Sequence, residues 1–280
     1  MISLRKQLRE LQIRPKKSLG QHFVVDVDVL RRIVECANLE AEDVVLEIGA
    51  GLGSLTAPLA QRVKKVYAIE VDHRLAGALK DQFSGSERVE VVLADALKFD
   101  FTPLSGKWQK KMKVVANLPF EISSPMIFRL FQEREHFSLL VLMLQMEVAK
   151  RVVAKPGTKD YGPLSLWAQL YTQARIAFAV SPRAFHPQPK VESAVVRFDI
   201  LQKPSVEVED EKTLQWVIRS AFAYRRKTVA NAIHLGKFSH LPPEKIQKAL
   251  RAAGINPISR GEVLSLEQFR DLSRVLSALN

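Results

Sequence analysis

The sequence contains a single cysteine, Cys36, among 280 residues. One cysteine cannot form an intramolecular disulfide or a cysteine-rich metal site, so both are excluded. Long apolar runs are also absent, since the longest, Leu139–Leu144, is too short to span a bilayer and predicts a buried strand. No apolar block follows the basic first ten residues, so a secretory signal is not expected. These absences favour a cytoplasmic protein without a membrane segment.

Acidic residues are fewer than basic ones, 30 against 42, which gives a formal net charge of +12. Residues 1–20 have a net charge of +5, residues 211–280 have +7, and residues 21–210 are neutral. Basic charge confined to the two ends is typical of a protein that binds a polyanion such as nucleic acid. The alternative is a pair of solvated basic faces that only maintain solubility.

Apolar runs that alternate with amphipathic stretches predict a regular order of strands and helices up to about residue 201. The predicted strands are residues 44–48, 65–70, 89–93, 113–116, 139–145, 175–180 and 193–200. The helices predicted between the earlier strands are residues 28–36, 52–62, 75–83 and 125–132. Such alternation indicates an α/β fold with a doubly wound, mainly parallel sheet.

The pattern changes after Leu201, because only helical signals follow Asp210. The predicted helices are residues 213–233, a short one opened by Pro242-Pro243, and residues 266–279. The polar, proline-containing segment 202–205 predicts a domain boundary. We therefore expect an α/β domain over residues 1–201, which includes the basic N-terminal arm, and a small helical domain over residues 202–280.

A glycine-rich turn, Gly49-Ala50-Gly51-Leu52-Gly53, follows the first predicted strand of the sheet. Glycines let the backbone approach a ligand closely, and the following helix offers free N–H groups. A dinucleotide-binding turn would have its third glycine at position 54, where this chain has Ser54. The spacing resembles that of S-adenosylmethionine-dependent methyltransferases, whose cofactor has no pyrophosphate. Taken alone, the turn also fits a purely structural role.

Acidic residues follow the next two strands. Glu70 ends the second strand, where a carboxylate can accept hydrogen bonds from both ribose hydroxyls. Asp95 follows the third strand and can accept a hydrogen bond from an adenine amino group. Either acid alone is often a helix cap or a solvated loop residue. Because ligands bind at the carboxyl ends of strands in such sheets, the acids together with Gly49 and Gly51 predict a nucleoside-containing cofactor.

The segment Asn117-Leu118-Pro119-Phe120 follows the fourth strand. An exocyclic adenine amine is a poor nucleophile, and the side-chain oxygen of Asn117 and the carbonyl of Leu118 can accept its hydrogens. Pro119 restricts Leu118 to an extended form, and Phe120 can stack on a base turned out of its helix. The segment therefore predicts methyl transfer to adenine N6 in RNA, promoted by orientation and without a metal. In isolation, it would be a strand-ending turn.

With these motifs in place, the sequence resembles the ribosomal RNA adenine dimethyltransferase family, and within it the branch that modifies the small subunit. Further segments that carry the resemblance are Lys16–Phe23, Glu47–Gly51, Ile69–Asp72, Ile122–Pro125, Met143–Ala149, Tyr161–Ser165, Phe185–Ser193 and Phe222–Thr228. The resemblance implies a Rossmann-like class I methyltransferase sheet with a C-terminal helical domain that binds rRNA.

The resemblance also implies an activity and a cofactor. S-adenosylmethionine would donate two methyl groups to N6 of each of two adjacent adenines near the 3′ end of small-subunit rRNA. The cofactor contacts that it implies are His22, Val24, Gly49, Gly51, Glu70, Asp95 and Asn117. The family's role in late small-subunit assembly implies a pre-30S particle as substrate, and we expect the protein to act as a monomer.

Two positions depart from the family pattern. Phe120 replaces the usual tyrosine, so stacking is retained while a phenolic hydroxyl takes no part. His22 occupies a position that is commonly asparagine, and a histidine there can make the contact sensitive to pH. A lone histidine is usually structural, so this assignment depends on the surrounding arm motif.

The predicted RNA contacts lie mainly in the two basic ends. The residues expected to contact rRNA phosphates are Lys16 and Lys17 in the arm and Arg225, Arg226 and Lys227 near the C-terminus. A solvated helix is the alternative for the last three. Phe185 is expected to form the other face of the target-base pocket, while Pro187 and Pro189 stiffen a hairpin.

Two other functions remain open from the sequence. One is the resistance methyltransferase that modifies an adenine in large-subunit rRNA, whose segment usually has Ile and Tyr where this chain has Leu118 and Phe120. The other is an assembly or transcription factor, since mitochondrial relatives of that kind carry Phe in the segment. Leu118 and the long C-terminal extension favour the small-subunit enzyme, and the intact cofactor set argues against an inactive one.

Overall fold

A computed structural model describes residues 7–8, 10–11, 13, 15–16, 20–238 and 240–279. The chain divides into two compact units, and each unit is built from two stretches of chain. The first unit comprises the chain up to Ala149 together with Gln173–Ile200. The second unit comprises Lys150–Thr172 and the chain from Leu201 onward.

The first unit is an α/β structure. Its strands are β1 (Phe23–Val24), β2 (Val44–Ile48), β3 (Lys65–Glu70), β4 (Val89–Leu93), β5 (Met112–Asn117), β6 (Phe137–Gln145), β7 (Thr172–Val180), β8 (Phe185–His186) and β9 (Ser193–Ile200). Its helices are α1 (Val27–Cys36), α2 (Thr56–Ala60), α3 (His73–Gln82), α4 (Thr102–Ser105) and α5 (Ser123–Gln132).

Seven strands form one sheet in the order β4-β3-β2-β5-β6-β9-β7. The first five in that order pair in parallel, and β9 runs antiparallel to β6 with Val141 opposite Arg197. A separate antiparallel pair is formed by β1 and β8. The chain order reverses between β2 and β5, and ligands of such sheets bind at this switch point, outside the carboxyl ends of the strands.

The central strands are buried on both faces, which explains their continuous apolar sequences. All five residues of β2 are buried, and β6 is buried from Leu139 to Leu144. The stretch Leu139–Leu144 is therefore the buried strand that its length predicted. The predicted Rossmann-like α/β sheet is confirmed, with β2, β3, β4 and β9 at the predicted bounds.

The second unit is helical. Helix α6 (Met146–Val152) begins directly after β6 in the first unit, and its last three residues belong to the second. The other helices of the second unit are α7 (Pro163–Tyr171), α8 (Glu211–Ala223), α9 (Val229–His234), α10 (Pro243–Ala252) and α11 (Leu266–Ser277). Phe222 connects two buried rings in this unit, since its ring centroid lies 6.1 Å from that of Tyr161 and 5.9 Å from that of Phe269. In the part of the chain that the structure describes, no helix is long and apolar enough to cross a membrane.

The predicted division into residues 1–201 and 202–280 was wrong for residues 150–172. The chain passes between the units next to residue 201, but 150–172 also belong to the helical unit. Tyr161 is the physical reason, because its ring packs on Phe222 and its hydroxyl donates to the carbonyl of Leu264 at 2.9 Å. Leu264 is 103 residues from Tyr161 in sequence and Phe222 precedes it, so both partners are distant and no local composition signals the early crossing.

Two predicted helices differ from the observed ones. The helix predicted over 213–233 is two helices, α8 and α9, because an exposed turn at 224–228 separates them. The Thr228 side chain accepts a hydrogen bond from the Asn231 N–H and so begins α9 as a new helix. The helix predicted from residue 52 begins only at Thr56, since the glycine-rich turn continues to Leu55.

Candidate active site

A cleft of about 240 Å³ opens at the carboxyl ends of the parallel strands. Gly49 follows β2, Glu70 ends β3, Asp95 follows β4 and Asn117 ends β5, and all four residues line the cleft. Four neighbouring strands of the sheet therefore bring the predicted residues together beside the switch point between β2 and β5.

Two glycines in the turn after β2 have backbone conformations that other residues rarely adopt. Gly49 has a φ of +74° and Gly51 a φ of +60°. A Cβ atom on Gly49 would lie 3.3 Å from Pro119 Cδ, and one on Gly51 would lie 3.0 Å from Phe23 Cε1. Only glycine fits both the conformation and the space, so the backbone itself forms this wall of the cleft.

Glu70 is 5% exposed, and its carboxylate is held by three backbone N–H groups. Gly51 donates to Oε2 at 2.9 Å, while Val71 and Asp72 donate to Oε1 at 3.0 and 2.9 Å. Burial raises the pKa of Glu70, and these hydrogen bonds oppose the rise. A carboxylate has about four acceptor positions, and three of those of Glu70 are used by these N–H groups. One position therefore remains for a ribose hydroxyl, and a second becomes available if the Gly51 N–H moves away.

Asp95 is more open than Glu70. Its Oδ1 accepts a hydrogen bond from the Leu97 N–H at 2.9 Å, and Lys98 Nζ lies 3.9 Å from Oδ2. The side chain is 42% exposed. Its second oxygen therefore remains accessible, as an acceptor for an adenine amino group requires.

Asn117 has a defined amide orientation. Its Nδ2 donates to the carbonyl oxygen of His22 at 2.9 Å, so the other end of the amide, Oδ1, points away from that carbonyl. The next residue, Leu118, donates its N–H to Met143 O at 3.3 Å, and its side chain is buried. The carbonyl of Leu118 accepts no hydrogen bond from the residues that the structure describes. Two neighbouring acceptors are thus available at the cleft.

Pro119 fixes the backbone that follows Asn117. It has φ −55° and ψ 135°, and its carbonyl accepts hydrogen bonds from the Ile122 N–H at 3.2 Å and from Ser123 Oγ at 3.0 Å. These bonds turn the chain into a short 3-10 helix at Phe120–Ile122 and then into α5. The turn places the Phe120 side chain at the cleft.

His22 connects the arm to this segment in three ways. Its carbonyl accepts from Asn117, its ring centroid lies 5.2 Å from that of Phe120, and its Nδ1 lies 2.7 Å from Pro187 O. A carbonyl can only accept, so Nδ1 carries the hydrogen and Nε2 of the neutral ring is an acceptor. His22 lines the cleft, as the family motif implied.

Val24 and Phe185 do not line the cleft. They face each other in the β1–β8 pair and are 4% and 2% exposed. Both belong to the hydrophobic core that includes Val29 and Ile33 of α1. The stacking role predicted for Phe185 is wrong, because its ring has no open face for a base. The Val24 side chain packs in the core, and the cofactor contact that the resemblance implies at Val24 stays a prediction.

The arm residue Lys16 has a partner inside the protein. Its Nζ lies 2.7 Å from Oδ2 of Asp72, whose side chain is 3% exposed. The Lys16 ammonium is therefore paired inside the protein, while the phosphate contact predicted for it stays a prediction. The other predicted arm contact, Lys17, lies outside the residues that the structure describes.

The C-terminal basic residues lie in the exposed turn between α8 and α9. Arg225 Nη2 donates to Lys159 O at 2.8 Å and lies 3.6 Å from Glu262 Oε2. Arg226 and Lys227 are exposed and have no partner among the described residues. Arg225, Arg226 and Lys227 lie in a turn, whereas the alternative considered for them was a solvated helix. The exposed side chains of Arg226 and Lys227 are accessible to a ligand.

Sequence reasoning missed several residues of the cleft. Ile48, Ile69 and Leu75 contribute apolar walls, and the exposed Glu121 also lines it. The Glu121 carboxylate occupies the space that a side chain at Gly20 would need. Only the position of Glu121 beside Phe120 could have indicated it, because one charged residue has no pattern of its own.

A second buried carboxyl group lies behind the glycine-rich turn. Glu47 is 2% exposed, and Thr56 Oγ1 donates to its Oε2 at 2.6 Å. Burial raises the pKa of Glu47 to about 8, although the Thr56 hydrogen bond opposes the rise. Glu47 is therefore mainly protonated at neutral pH, and it ties the start of α2 to β2 without exposing a charge to the core.

The fold and the cleft together define a class I S-adenosylmethionine-dependent methyltransferase. The defining features are the doubly wound sheet, the glycine-rich turn, the carboxylate of Glu70 and the Asn-Leu-Pro-Phe segment, which meet at one edge of the sheet. A model of the ribosomal RNA adenine dimethylase family matches residues 13–277, and the chain belongs to that family. S-adenosylmethionine is its methyl donor.

Curated relatives match over nearly their whole length. The chain is 42% identical to ribosomal RNA small subunit methyltransferase A of Pelotomaculum thermopropionicum, over 96% of this chain and 94% of the relative. It is 44% identical to the protein of the same name from Geobacter metallireducens, over 95% of this chain and 97% of the relative. Both relatives therefore include counterparts of both units.

Solved structures give the same picture. A dimethyladenosine transferase from Plasmodium falciparum is 28% identical, with a TM-score of 0.75 over 89% of this chain and 95% of the other. The 23S rRNA methyltransferase ErmE is 26% identical, with a TM-score of 0.66 over 91% of this chain and 99% of the other. The fold is thus common to rRNA methyltransferases with different targets, and the target has to be argued separately.

Proposed function

We propose that this protein transfers two methyl groups to N6 of each of two adjacent adenines near the 3′ end of small-subunit rRNA. The observation that carries the proposal is the orientation of Asn117, which leaves its Oδ1 and the Leu118 carbonyl as neighbouring acceptors at the cleft. The choice of the small subunit is supported by full-length relatives at 42% and 44% identity that are named for it.

The groups that line the cleft suit the methyl donor. Glu70 and Asp95 keep carboxylate oxygens for ribose and adenine contacts, and the turn at Gly49 and Gly51 offers backbone without side chains. When bound, S-adenosylmethionine supplies an electrophilic methyl group on a sulfonium centre. The protein's own residues then bind and orient the reactants, which converts the transfer into an intramolecular step.

The acceptors at Asn117 and Leu118 act on the adenine amino group. Hydrogen bonds from its two hydrogens to Asn117 Oδ1 and Leu118 O favour a more pyramidal nitrogen, whose lone pair is better able to attack carbon. The His22 carbonyl holds the Asn117 amide in this orientation, and Pro119 holds the Leu118 carbonyl. The positions of the acceptors are therefore set before the base arrives, which reduces the cost of orientation.

Phe120 is the residue that we propose to stack on the extruded adenine. It lines the cleft directly beside the two acceptors, whereas Phe185 is buried in the core. Stacking of one base on an aromatic ring contributes about 1–3 kcal/mol. Because phenylalanine has no hydroxyl group, Phe120 can contribute to base binding only by stacking.

RNA binding is proposed to involve the exposed turn at Arg226 and Lys227, whose charges are not neutralised by described neighbours. We further propose that the natural substrate is a pre-30S particle, and that the protein acts on it as a cytoplasmic monomer. The separation of basic charge into the ends of the chain supports a grip on phosphates, while the neutral middle carries out the chemistry.

The direct test is incubation of the purified protein with labelled S-adenosylmethionine and undermethylated small subunits, followed by nucleoside analysis. We expect N6,N6-dimethyladenosine in the small-subunit rRNA and none in large subunits treated in the same way. Label in large-subunit rRNA alone, or no dimethyladenosine at all, would contradict the proposal.

The same assay tests the role of Asn117. An Asn117→Ala variant loses one acceptor for the amino group, and we expect methylation to slow by about a hundredfold, the effect of removing one preorganised polar group from a reacting centre. The control is Asn256→Ala, since the Asn256 side chain accepts from the Ile258 N–H in the helical unit and does not line the cleft. Full dimethylation by the Asn117 variant would show that the mechanism is wrong.

A further inference from the structure

The ion pair between Lys16 and Asp72 differs from the surface ion pairs of the chain. Its N–O distance is 2.7 Å, and the side chains are 45% and 3% exposed. The Lys64–Glu42 pair has the same distance, but both side chains are at least half exposed. Burial alone would raise the pKa of Asp72, yet the Lys16 ammonium and the Arg74 N–H hold it below its usual value. Loss of the partner of a buried charge is much more costly than loss of an exposed one.

Asp72 is hydrogen-bonded directly to Glu70, the carboxylate proposed to bind the cofactor ribose. Its backbone N–H donates to Glu70 Oε1 at 2.9 Å, and Glu70 Oε2 accepts from the Gly51 N–H at 2.9 Å. Its side chain also caps α3, because Oδ1 accepts from the Arg74 N–H at 3.0 Å. A continuous run of polar contacts therefore extends from Lys16 through Asp72 and Glu70 to the glycine-rich turn.

Lys16 also anchors the segment of the arm that enters the cleft. Its N–H donates to Gln21 Oε1 at 2.8 Å, and its carbonyl accepts from the Gln21 N–H at 3.4 Å. Gln21 is followed immediately by His22 and Phe23, and all three line the cleft. A shift of Lys16 would therefore disturb the arm wall of the cleft as well as Glu70.

The arm has apolar anchors on the same side. Leu8 and Ile13 pack with Leu52, from the glycine-rich turn, and with Leu75 of α3. These contacts hold the arm near the cleft but are not directional, whereas the ion pair fixes one atom against another. The register of the arm therefore depends on Lys16.

We infer that Lys16 is a positioning residue for the cofactor, whose ion pair with Asp72 aligns both Glu70 and the His22–Phe23 wall. This role deepens the proposed function and rests on it, because it takes the cleft to be the S-adenosylmethionine site. Lys16 itself does not line the cleft, so it acts through Asp72 and Gln21 and not by direct contact.

The test is calorimetric titration of the full-length protein with S-adenosylmethionine in the absence of RNA. Lys16→Met should weaken cofactor binding by about tenfold, since a hydrogen bond between charged groups is lost next to the site. Lys16→Arg should restore binding to within about twofold, because the charge and donor remain. Lys64→Met is the matched control, and it should bind as the wild type does.

A double-mutant cycle separates positioning from general stability. Asn at position 72 can still cap α3, so Asp72→Asn removes mainly the charge that faces Lys16. Asp72→Asn alone should weaken cofactor binding about as much as Lys16→Met, and the double variant should be little worse than either. The Asp72 variant also decides the question if Lys16→Met fails to fold.

Two outcomes would overturn the inference. The first is unchanged cofactor affinity in Lys16→Met with weaker binding of undermethylated small subunits, which would return Lys16 to a phosphate contact. The second is additive effects of the two substitutions, which would mean that they act independently. Failure of the proposed function has another signature, because the wild-type protein would then bind the cofactor normally but leave small subunits unmethylated.

Discussion

Three carboxyl groups near the glycine-rich turn have different tasks because their surroundings differ. Glu47 has one hydroxyl donor and is buried in the core, so it stays protonated. Glu70 has three backbone donors and faces the cleft, which suits a ligand contact. Asp72 has a lysine and a helix N-terminus, which hold it charged. The number and charge of the donors thus decide the protonation state at each position.

The Glu47 carboxyl makes the stability of the protein depend on pH. Its pKa is about 8 when folded, against 4.5 for an exposed glutamate. Its contribution is therefore fully present below about pH 4.5 and is lost as the pH rises through about 8. Glu47→Gln keeps the Thr56 hydrogen bond without a titrating group. We expect the free energy of unfolding to fall less between about pH 5.5 and pH 8.5 in this variant than in the wild type.

Urea unfolding at the two pH values measures the difference. Glu87→Gln is the control, because Glu87 is exposed. The free energy of unfolding of this variant should change with pH as that of the wild type does. Equal slopes for the wild type and the Glu47 variant would mean that Glu47 is charged in the folded protein.

At the scale of single elements, the turn between β2 and α2 contributes most to the cleft. It carries backbone atoms to the ligand, offers the Gly51 N–H to Glu70, and packs against Phe23 of the arm and Pro119 of the catalytic segment. Backbone atoms of its glycines, and not a polar side chain, form this wall of the cleft. Its function depends on the conformation of its glycines.

Glycine-to-alanine substitutions at two positions of the first unit should therefore differ in their effect on cofactor affinity and on stability. Gly51→Ala places a Cβ atom 3.0 Å from Phe23 and forces a φ of +60° on alanine, so we expect a loss of cofactor affinity of about tenfold or more. Gly77 lies inside α3 with nothing within 4 Å of its Cβ position. Gly77→Ala should raise stability by about 0.5–1 kcal/mol and leave cofactor binding unchanged. Calorimetry and thermal unfolding of both variants test this contrast, which fails if Gly51→Ala binds normally.

The sheet and the main cleft residues could be predicted because both depend on local pattern. Strands buried on two faces have continuous apolar sequences, and the residues at their carboxyl ends meet at one edge. Glu70, Asp95 and Asn117 were found in this way. The pattern cannot show which residues distant in sequence become partners.

Several differences between prediction and structure involve such distant partners, and one is local. Phe185 was expected in the pocket, but pairing with Val24 across the β1–β8 ladder turns it into the core. The ion pair of Lys16 with a buried acid more than fifty residues away was not expected from the sequence. The break at residues 224–228 was missed because Thr228 has no strong preference between continuing a helix and capping a new one.

On the scale of the whole molecule, the charge distribution is the dominant feature. The excess basic charge of the sequence belongs to its two ends, while the sheet that carries the cleft is nearly neutral. Electrostatic attraction by the ends is long-ranged and insensitive to sequence, whereas the contacts in the cleft are short and specific. The proposed function therefore assigns affinity for RNA and choice of the base to different parts of the chain.

Removal of two exposed charges should weaken RNA binding without affecting the cofactor. For Arg226→Ala combined with Lys227→Ala, we expect the dependence of RNA affinity on salt concentration to decrease by about one to two units of slope. Calorimetric cofactor affinity should equal that of the wild type. The control pair Lys245→Ala and Lys248→Ala removes the same charge from the exposed side of α10. An equal effect of both pairs would mean that only net charge matters.

The helical unit begins before the sheet is complete, because the chain enters it at residue 150 and returns to the sheet at residue 173. A fragment that stops at the end of β9 would therefore keep α7 and Tyr161 but lose Phe222 and Leu264, which cover them. No single cut in the chain separates a catalytic module from a helical one. A chimera that exchanges the helical unit therefore has to replace both of its stretches, Lys150–Thr172 and the chain from Leu201 onward.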